Sequence, residues 1–113
     1  MSYLERIEKI NRKKQMLLKT AFKKEAERLS RILAKKYDFK KLYLFGSLTN
    51  DKPLKVWSDI DFAIENLKKE LFLKAYADLL KNSKFPVDLK PFEELDKESQ
   101  ENIIKNGVVL YGE

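Results

Sequence analysis

Leu44-Phe45-Gly46-Ser47, followed eleven residues later by Asp59-Ile60-Asp61-Phe62-Ala63-Ile64, is the stretch on which the reading of this chain turns. Lys41 to Phe45 is a short aromatic and aliphatic run ended by Gly46, which predicts a buried strand and a tight turn. Side chains alternate along a strand, so in the second run Ile60, Phe62 and Ile64 face one side, and Asp59, Asp61 and Ala63 the other. The two carboxylates then stand on one face, about 6 to 7 Å apart at a rise of ~3.3 Å per residue. Two like charges at that spacing need a counterion. Oxygen donors suit a hard cation such as magnesium, and a triphosphate would supply the remaining ligands.

Two neighbouring segments bear on the same chemistry. Gly46-Ser47 lies where a strand hands over to a short helix, so backbone N–H groups and the Ser47 hydroxyl can hold phosphate oxygens. It is no Walker loop, since the chain contains no Gly-x-x-x-x-Gly-Lys-Ser/Thr run. Phe85-Pro86-Val87-Asp88-Leu89 predicts a brief strand with Pro86 at its start, where a missing N–H is tolerated. Asp88 joins the other aspartates if its strand pairs beside theirs. Alone, a Gly-Ser turn or an Asp-x-Asp run is ordinary; strand, Gly-Ser, a ten-residue gap and Ser58-Asp59-Ile60-Asp61 together are not.

Working outward, residues 2–37 contain neither Gly nor Pro. Apolar residues recur there at Leu4, Ile7, Ile10, Leu17, Ala21, Phe22, Leu29, Ile32 and Leu33, a helical spacing that fits one long helix or two with a break. The polar stretch Asn11 to Gln15 interrupts the stripe, so the start is expected to extend beyond the main body as an arm open to another chain. Thr49 to Ser58 reads as a loop, with Asn50, Asp51, Lys52 and Pro53 as turn formers. Asn66 is the expected cap of a helix with Leu67, Leu71, Ala75 and Leu79 on one face, ending near Asn82. Asp96 caps a last helix to Asn106, Gly107 is expected as its left-handed stop, and Val108 to Tyr111 forms a final strand. The expected fold class is α/β (α+β), a small mixed sheet of about four strands flanked by helices.

Composition narrows the chemistry. The 113 residues allow one domain of ordinary size, and 43% hydrophobic residues supply a core. There is no Cys and no His, which excludes disulfides, thiolate nucleophiles, imidazole catalysis and zinc sites built on either residue. Any acid-base or metal chemistry then falls to carboxylates, lysines, hydroxyls and water. The net charge of +6 favours a nucleotide or an acidic partner. Direct nucleic-acid binding is not expected, because most Tyr and Phe residues fall on stripes that a core would use. The charged start resembles no signal peptide or membrane span, so a cytoplasmic protein without membrane contact is expected.

Leu44-Phe45-Gly46-Ser47, Ser58 to Ile64, Val87-Asp88-Leu89 and the closing Ile104-Lys105-Asn106-Gly107-Val108-Val109-Leu110-Tyr111 together resemble the DNA polymerase beta superfamily of nucleotidyltransferases. The likeness is to its minimal single-domain (MNT) members. It divides the chain into a helical N-terminal extension, 1–27, and a nucleotidyltransferase domain, 28–113. The resemblance implies that Gly46, Ser47 and Ser58 bind the nucleotide. It implies that Asp59, Asp61 and Asp88 are the catalytic, metal-holding triad for two magnesium ions, with Asp88 helping to activate the attacking hydroxyl. Such domains pair with a helical HEPN toxin, so it further implies an antitoxin that transfers AMP from ATP to its partner. Many relatives continue Gly-Ser into an Arg- and Gly-containing helix, whereas Leu48-Thr49-Asn50-Asp51-Lys52-Pro53 stands here. The alternative is therefore a module of weak or no activity that neutralises a HEPN ribonuclease by contact. The amphipathic arm also suits an oligomer.

Overall fold

Ser2 starts the first helix, its hydroxyl accepting the Glu5 N–H at 3.1 Å, and nothing breaks that helix for about nine turns. In the computed structural model, which describes residues 1–50 and 52–112, α1 (Tyr3–Lys36) is a single element. Asp51, one of the expected turn formers, and Glu113, the end of the expected domain, lie outside the described residues. The polar interruption at 11–15 leaves the helix intact, because Asn, Arg, Lys and Gln cost little helical propensity. Phe22, Ala26, Leu29 and Leu33 are buried at i, i+4, i+7 and i+11, the apolar stripe of a helix laid on a sheet.

The sheet has four strands, β1 (Lys41–Phe45), β2 (Ile60–Glu65), β3 (Val87–Pro91) and β4 (Val108–Tyr111), in the order β3-β2-β1-β4. β1 runs antiparallel to β2 and β4, and β2 runs parallel to β3. The parallel pair requires a crossover, which α2 (Lys69–Asn82) supplies. α1 and α2 cover one face, where Phe22, Leu29, Leu33, Ala75 and Leu79 join Leu42, Leu44, Ile60, Phe62, Ile64, Val87 and Leu89. α3 (Lys97–Asn106) covers part of the other, with Ile103 against Tyr43, Ala63 and Phe92. Ile60, Phe62 and Ile64 thus face one core and Ala63 the other, as the period of two requires. This is the expected small mixed α/β sheet flanked by helices.

Three local expectations are corrected. Asn66 does not cap α2: the helix begins at Lys69 with no side-chain cap, and Asn66 takes the left-handed conformation at φ 64°. Its N–H donates to the Glu93 carboxylate, so it turns the chain out of β2 instead of opening a helix, a role Asn tolerates better than most residues. Leu67 consequently precedes α2 and packs against the core from the loop. Gly107 does follow α3, but its φ of −77° is not left-handed. A Cβ there would lie 2.6 Å from the Ile103 carbonyl oxygen and 2.9 Å from that of Leu44, so glycine is needed for the close approach of the helix end to β1. β3 runs from Val87 to Pro91, two residues later than expected, because Pro86 contributes only its carbonyl, which accepts the Ile60 N–H at 2.8 Å. Among the described residues no helix is long and apolar enough to cross a membrane.

Candidate active site

The parallel β2–β3 register places Asp61 directly beside Asp88. Across the other edge of β2, Asp61 pairs with Phe45, the last residue of β1. The chain therefore turns at Gly46 against the Asp61 carboxylate. Gly46 has φ +79°, and a Cβ there would collide with that carboxylate; both facts demand glycine. The 3-10 turn Gly46–Thr49 that follows carries Ser47, half-buried, and is closed by the Thr49 hydroxyl donating to the Gly46 carbonyl at 3.0 Å. Beside it opens a cleft of about 370 Å³ bounded by Phe45, Gly46, Thr49, Asn50, Asn102 and Asn106.

Asp59 stands exposed just before β2, and Asp61 and Asp88 are half-buried on their strands. Burial first, then the Asp88 charge, then that of Asp59 push Asp61 up to about 6, while Lys90 pulls it down. The three aspartates thus share one electrostatic field. Asp88 is held on both oxygens: the Tyr76 hydroxyl donates to one at 2.9 Å, and the Lys90 ammonium lies 3.7 Å from the other. Burial and this bond raise the Tyr76 phenol above its ordinary value. Ser58 is half-buried next to Asp59, but its hydroxyl oxygen accepts the Lys55 N–H at 2.9 Å and its own N–H donates to the Lys55 carbonyl at 3.0 Å. That turn lifts Val56 and Trp57 into solvent.

The oxygens gathered here are the carboxylates of Asp61 and Asp88 and the Tyr76 hydroxyl, the kind of donor a hard divalent cation requires. Among the described residues no group of three acidic side chains is already gathered at metal-ligating distances, and Lys90 supplies the positive charge nearest Asp88. The donor set fits magnesium in kind: a cation here would offset both the burial that chiefly raises Asp61 and the repulsion from Asp88 and Asp59 that adds to it.

Three participants escaped the sequence reading. Lys90 was detectable, since it follows Asp88 by two and so shares its face of β3. Tyr76 gave no such signal, because its position on the α2 stripe is what a core residue would also occupy. Gln15 reaches across 39 residues to Leu54: its amide donates to the Leu54 carbonyl and accepts the Leu54 N–H, each at 2.8 Å. It thereby ties the loop that leads into Asp59 to α1.

Comparison with known proteins bears on the family and the fold. The family described as Polymerase beta, Nucleotidyltransferase matches residues 27–113. No curated protein matches the chain. Among solved structures, the chain is similar to a toxin–antitoxin crystallised with AMP-PNP, at 22% identity and a TM-score of 0.63, over 79% of this chain and 73% of that one. It is also similar to a mutant of the toxin–antitoxin MntA–HpeT in which two aspartates are replaced by glutamate, at 19% identity and a TM-score of 0.62, over 76% and 71%. A second MntA–HpeT mutant, with a tyrosine replaced by alanine, is similar at 21% identity and a TM-score of 0.61, over 76% and 71%. At these identities the likeness is one of fold. With its family match running from residue 27 to the C-terminus, around the turn at Gly46 and the paired aspartates, this chain belongs to the polymerase beta nucleotidyltransferase family.

Proposed function

We propose that this protein is a magnesium-dependent nucleotidyltransferase of the cytoplasm, the antitoxin of a HEPN/MNT pair, which transfers AMP from ATP to its helical partner toxin. The observation that carries the proposal is the side-by-side register of Asp61 and Asp88 against the Gly46 turn. The solved neighbours add support: one is a toxin–antitoxin crystallised with an ATP analogue, and another has two aspartates changed.

In this reading Asp59, Asp61 and Asp88 would hold two magnesium ions, and Gly46, Ser47 and Ser58 would bind the nucleotide. The ions, when bound, neutralise phosphate charge and stabilise attacking and leaving oxygens. The protein's own part is positioning. Gly46 lets the backbone approach the phosphates while leaving room for the Asp61 carboxylate, and the Gly46–Thr49 turn presents its N–H groups and the Ser47 hydroxyl. Tyr76 orients Asp88, whose other oxygen, 3.7 Å from the Lys90 ammonium, would accept the proton of the attacking hydroxyl. Lys90, on the same face, is available to a phosphate oxygen.

The test is incubation with labelled ATP and magnesium, with and without the co-produced helical partner, comparing wild type with Asp61→Ala. Label on the partner from the wild type alone supports the reading. Label that persists in Asp61→Ala refutes the role of the triad. A tight complex with no label leaves the second reading, a contact antitoxin, which the segment from Leu48 to Pro53 favours through its lack of an arginine.

A further inference from the structure

The chain's charge is not spread over the fold. Residues 1–24 hold eight Lys and Arg against two Glu, while residues 25–113 hold sixteen basic and sixteen acidic residues. The whole net charge of +6 therefore sits on the first two-thirds of α1. The start of that helix also carries exposed apolar side chains. Tyr3 is 77% exposed, Ile10 53% and Leu17 64%. With Ile7, Lys14 and Ala21 they form a row of alternating four- and three-residue steps, the spacing of a helix-packing seam. This seam lies roughly a third of a turn round the helix from the Phe22, Ala26, Leu29, Leu33 stripe, counted at 3.6 residues per turn. α1 can thus stay on its own sheet and offer a second face to another molecule.

We infer that residues 3–17 are a docking helix for the toxin proposed above, and that the toxin meets them with an apolar helical face flanked by carboxylates. The inference rests on the antitoxin reading and adds to it where and by what chemistry the partner is held. Charge decides the occupant. In a parallel pair of these arms Lys14 would face its own copy inside the seam, and in an antiparallel pair Arg6 and Lys13 would flank their copies. A second copy therefore brings like charges together in either direction. RNA would satisfy the cations but leave Tyr3, Ile10 and Leu17 in water. An acidic helix satisfies both, with a carboxylate facing Lys14 fixing the register. Gln15, on the core-facing side of the same helix, ties α1 to the loop before Asp59 through its two bonds to Leu54, which sets the docking helix, and with it the partner, at a defined position relative to the aspartates.

The experiment measures affinity of the full chain for the co-produced toxin, alongside magnesium-ATP binding by the chain alone. Arg6→Glu combined with Lys13→Glu, and separately Ile10→Glu, change only exposed positions. Each is expected to weaken the complex about tenfold or more, to leave ATP binding unchanged, and to leave the helical circular dichroism unchanged. Arg6→Lys is expected to bind as wild type. A wild-type complex that both variants reproduce overturns this inference and leaves the antitoxin reading standing. No complex with the wild type overturns both. Self-association of the free chain that Ile10→Glu abolishes, tighter binding of the wild type to a single-stranded RNA than to the toxin, or its partition onto phosphatidylglycerol vesicles would each assign the arm to another occupant and overturn the inference.

Discussion

The side-chain amide of Gln15 and the backbone of Leu54 close two hydrogen bonds of 2.8 Å, the pattern by which one strand residue recognises another. Leu54 itself is buried in the core, so the loop between the Gly46 turn and Asp59 is anchored by its side chain and its backbone together. Gln15→Ala leaves one partly buried N–H and one carbonyl without their partner, at a cost of about 1 to 3 kcal/mol. Urea unfolding measures this loss. Amide exchange at Leu54 is expected to accelerate, and an unchanged rate would show that the clip does not hold the loop.

Gly46→Ala tests the approach of the turn to Asp61. The left-handed backbone at φ +79° disfavours any Cβ, and the carboxylate occupies the place it would take. Strain of at least about 1 kcal/mol is expected from the backbone alone. Gly46→Ala combined with Asp61→Gly removes the collision and keeps the backbone penalty. The double variant is expected to be more stable than Gly46→Ala alone; equal stability would mean that the carboxylate is not the obstacle.

Asp61→Asn separates stability from function. At neutral pH, Asp61, Asp88 and Asp59 repel one another where burial already disfavours charge. The metal-free variant is expected to melt at a higher temperature than the wild type. Added magnesium is expected to raise the melting temperature of the wild type and not that of the variant. A melting temperature lowered by the substitution in metal-free buffer would contradict the repulsion.

Tyr76→Phe keeps the ring on α2 and removes the hydroxyl that donates to Asp88. Stability should change little. Nucleotidyl transfer, or magnesium affinity where transfer is absent, is expected to fall about 10-fold, the lower end for loss of a bond that orients a ligand. Titration calorimetry with magnesium and ATP reads the second quantity. An undiminished value would place Tyr76 in the core alone.

Glu25 sets the acid side of stability. It is buried, receives the Arg28 guanidinium on both oxygens at 2.7 and 2.9 Å, and accepts the Lys84 N–H at 2.6 Å. The Arg28 bond holds its carboxyl below the usual range, with burial opposing and the Lys84 bond assisting. A folded pKa below the unfolded one means that this contribution is present above about pH 4.5 and is lost as pH falls through the lower, folded value. Glu25→Gln should therefore lower stability at pH 7 and flatten its decline below about pH 4.5. A decline as steep as that of the wild type would remove Glu25 from the account.

Much of this protein follows from the sequence by itself. The absence of Cys and His confines its chemistry to oxygen donors and lysine, and the period of two in Ile60 to Ile64 turns Asp61 away from the core that Ile60, Phe62 and Ile64 enter. These properties are local: they depend on side-chain type and on strand geometry that any β-strand shares. What the tertiary structure decided is every relation between distant segments. No rule of spacing says that β2 and β3 run parallel in the register that sets Asp61 beside Asp88, that Tyr76 reaches Asp88, or that Gln15 holds Leu54. The glycines show the same division. From sequence, Gly107 looks like a left-handed stop and Gly46 only like a turn. Their real constraints are the Leu44 carbonyl and the Asp61 carboxylate, atoms that arrive only when the sheet assembles.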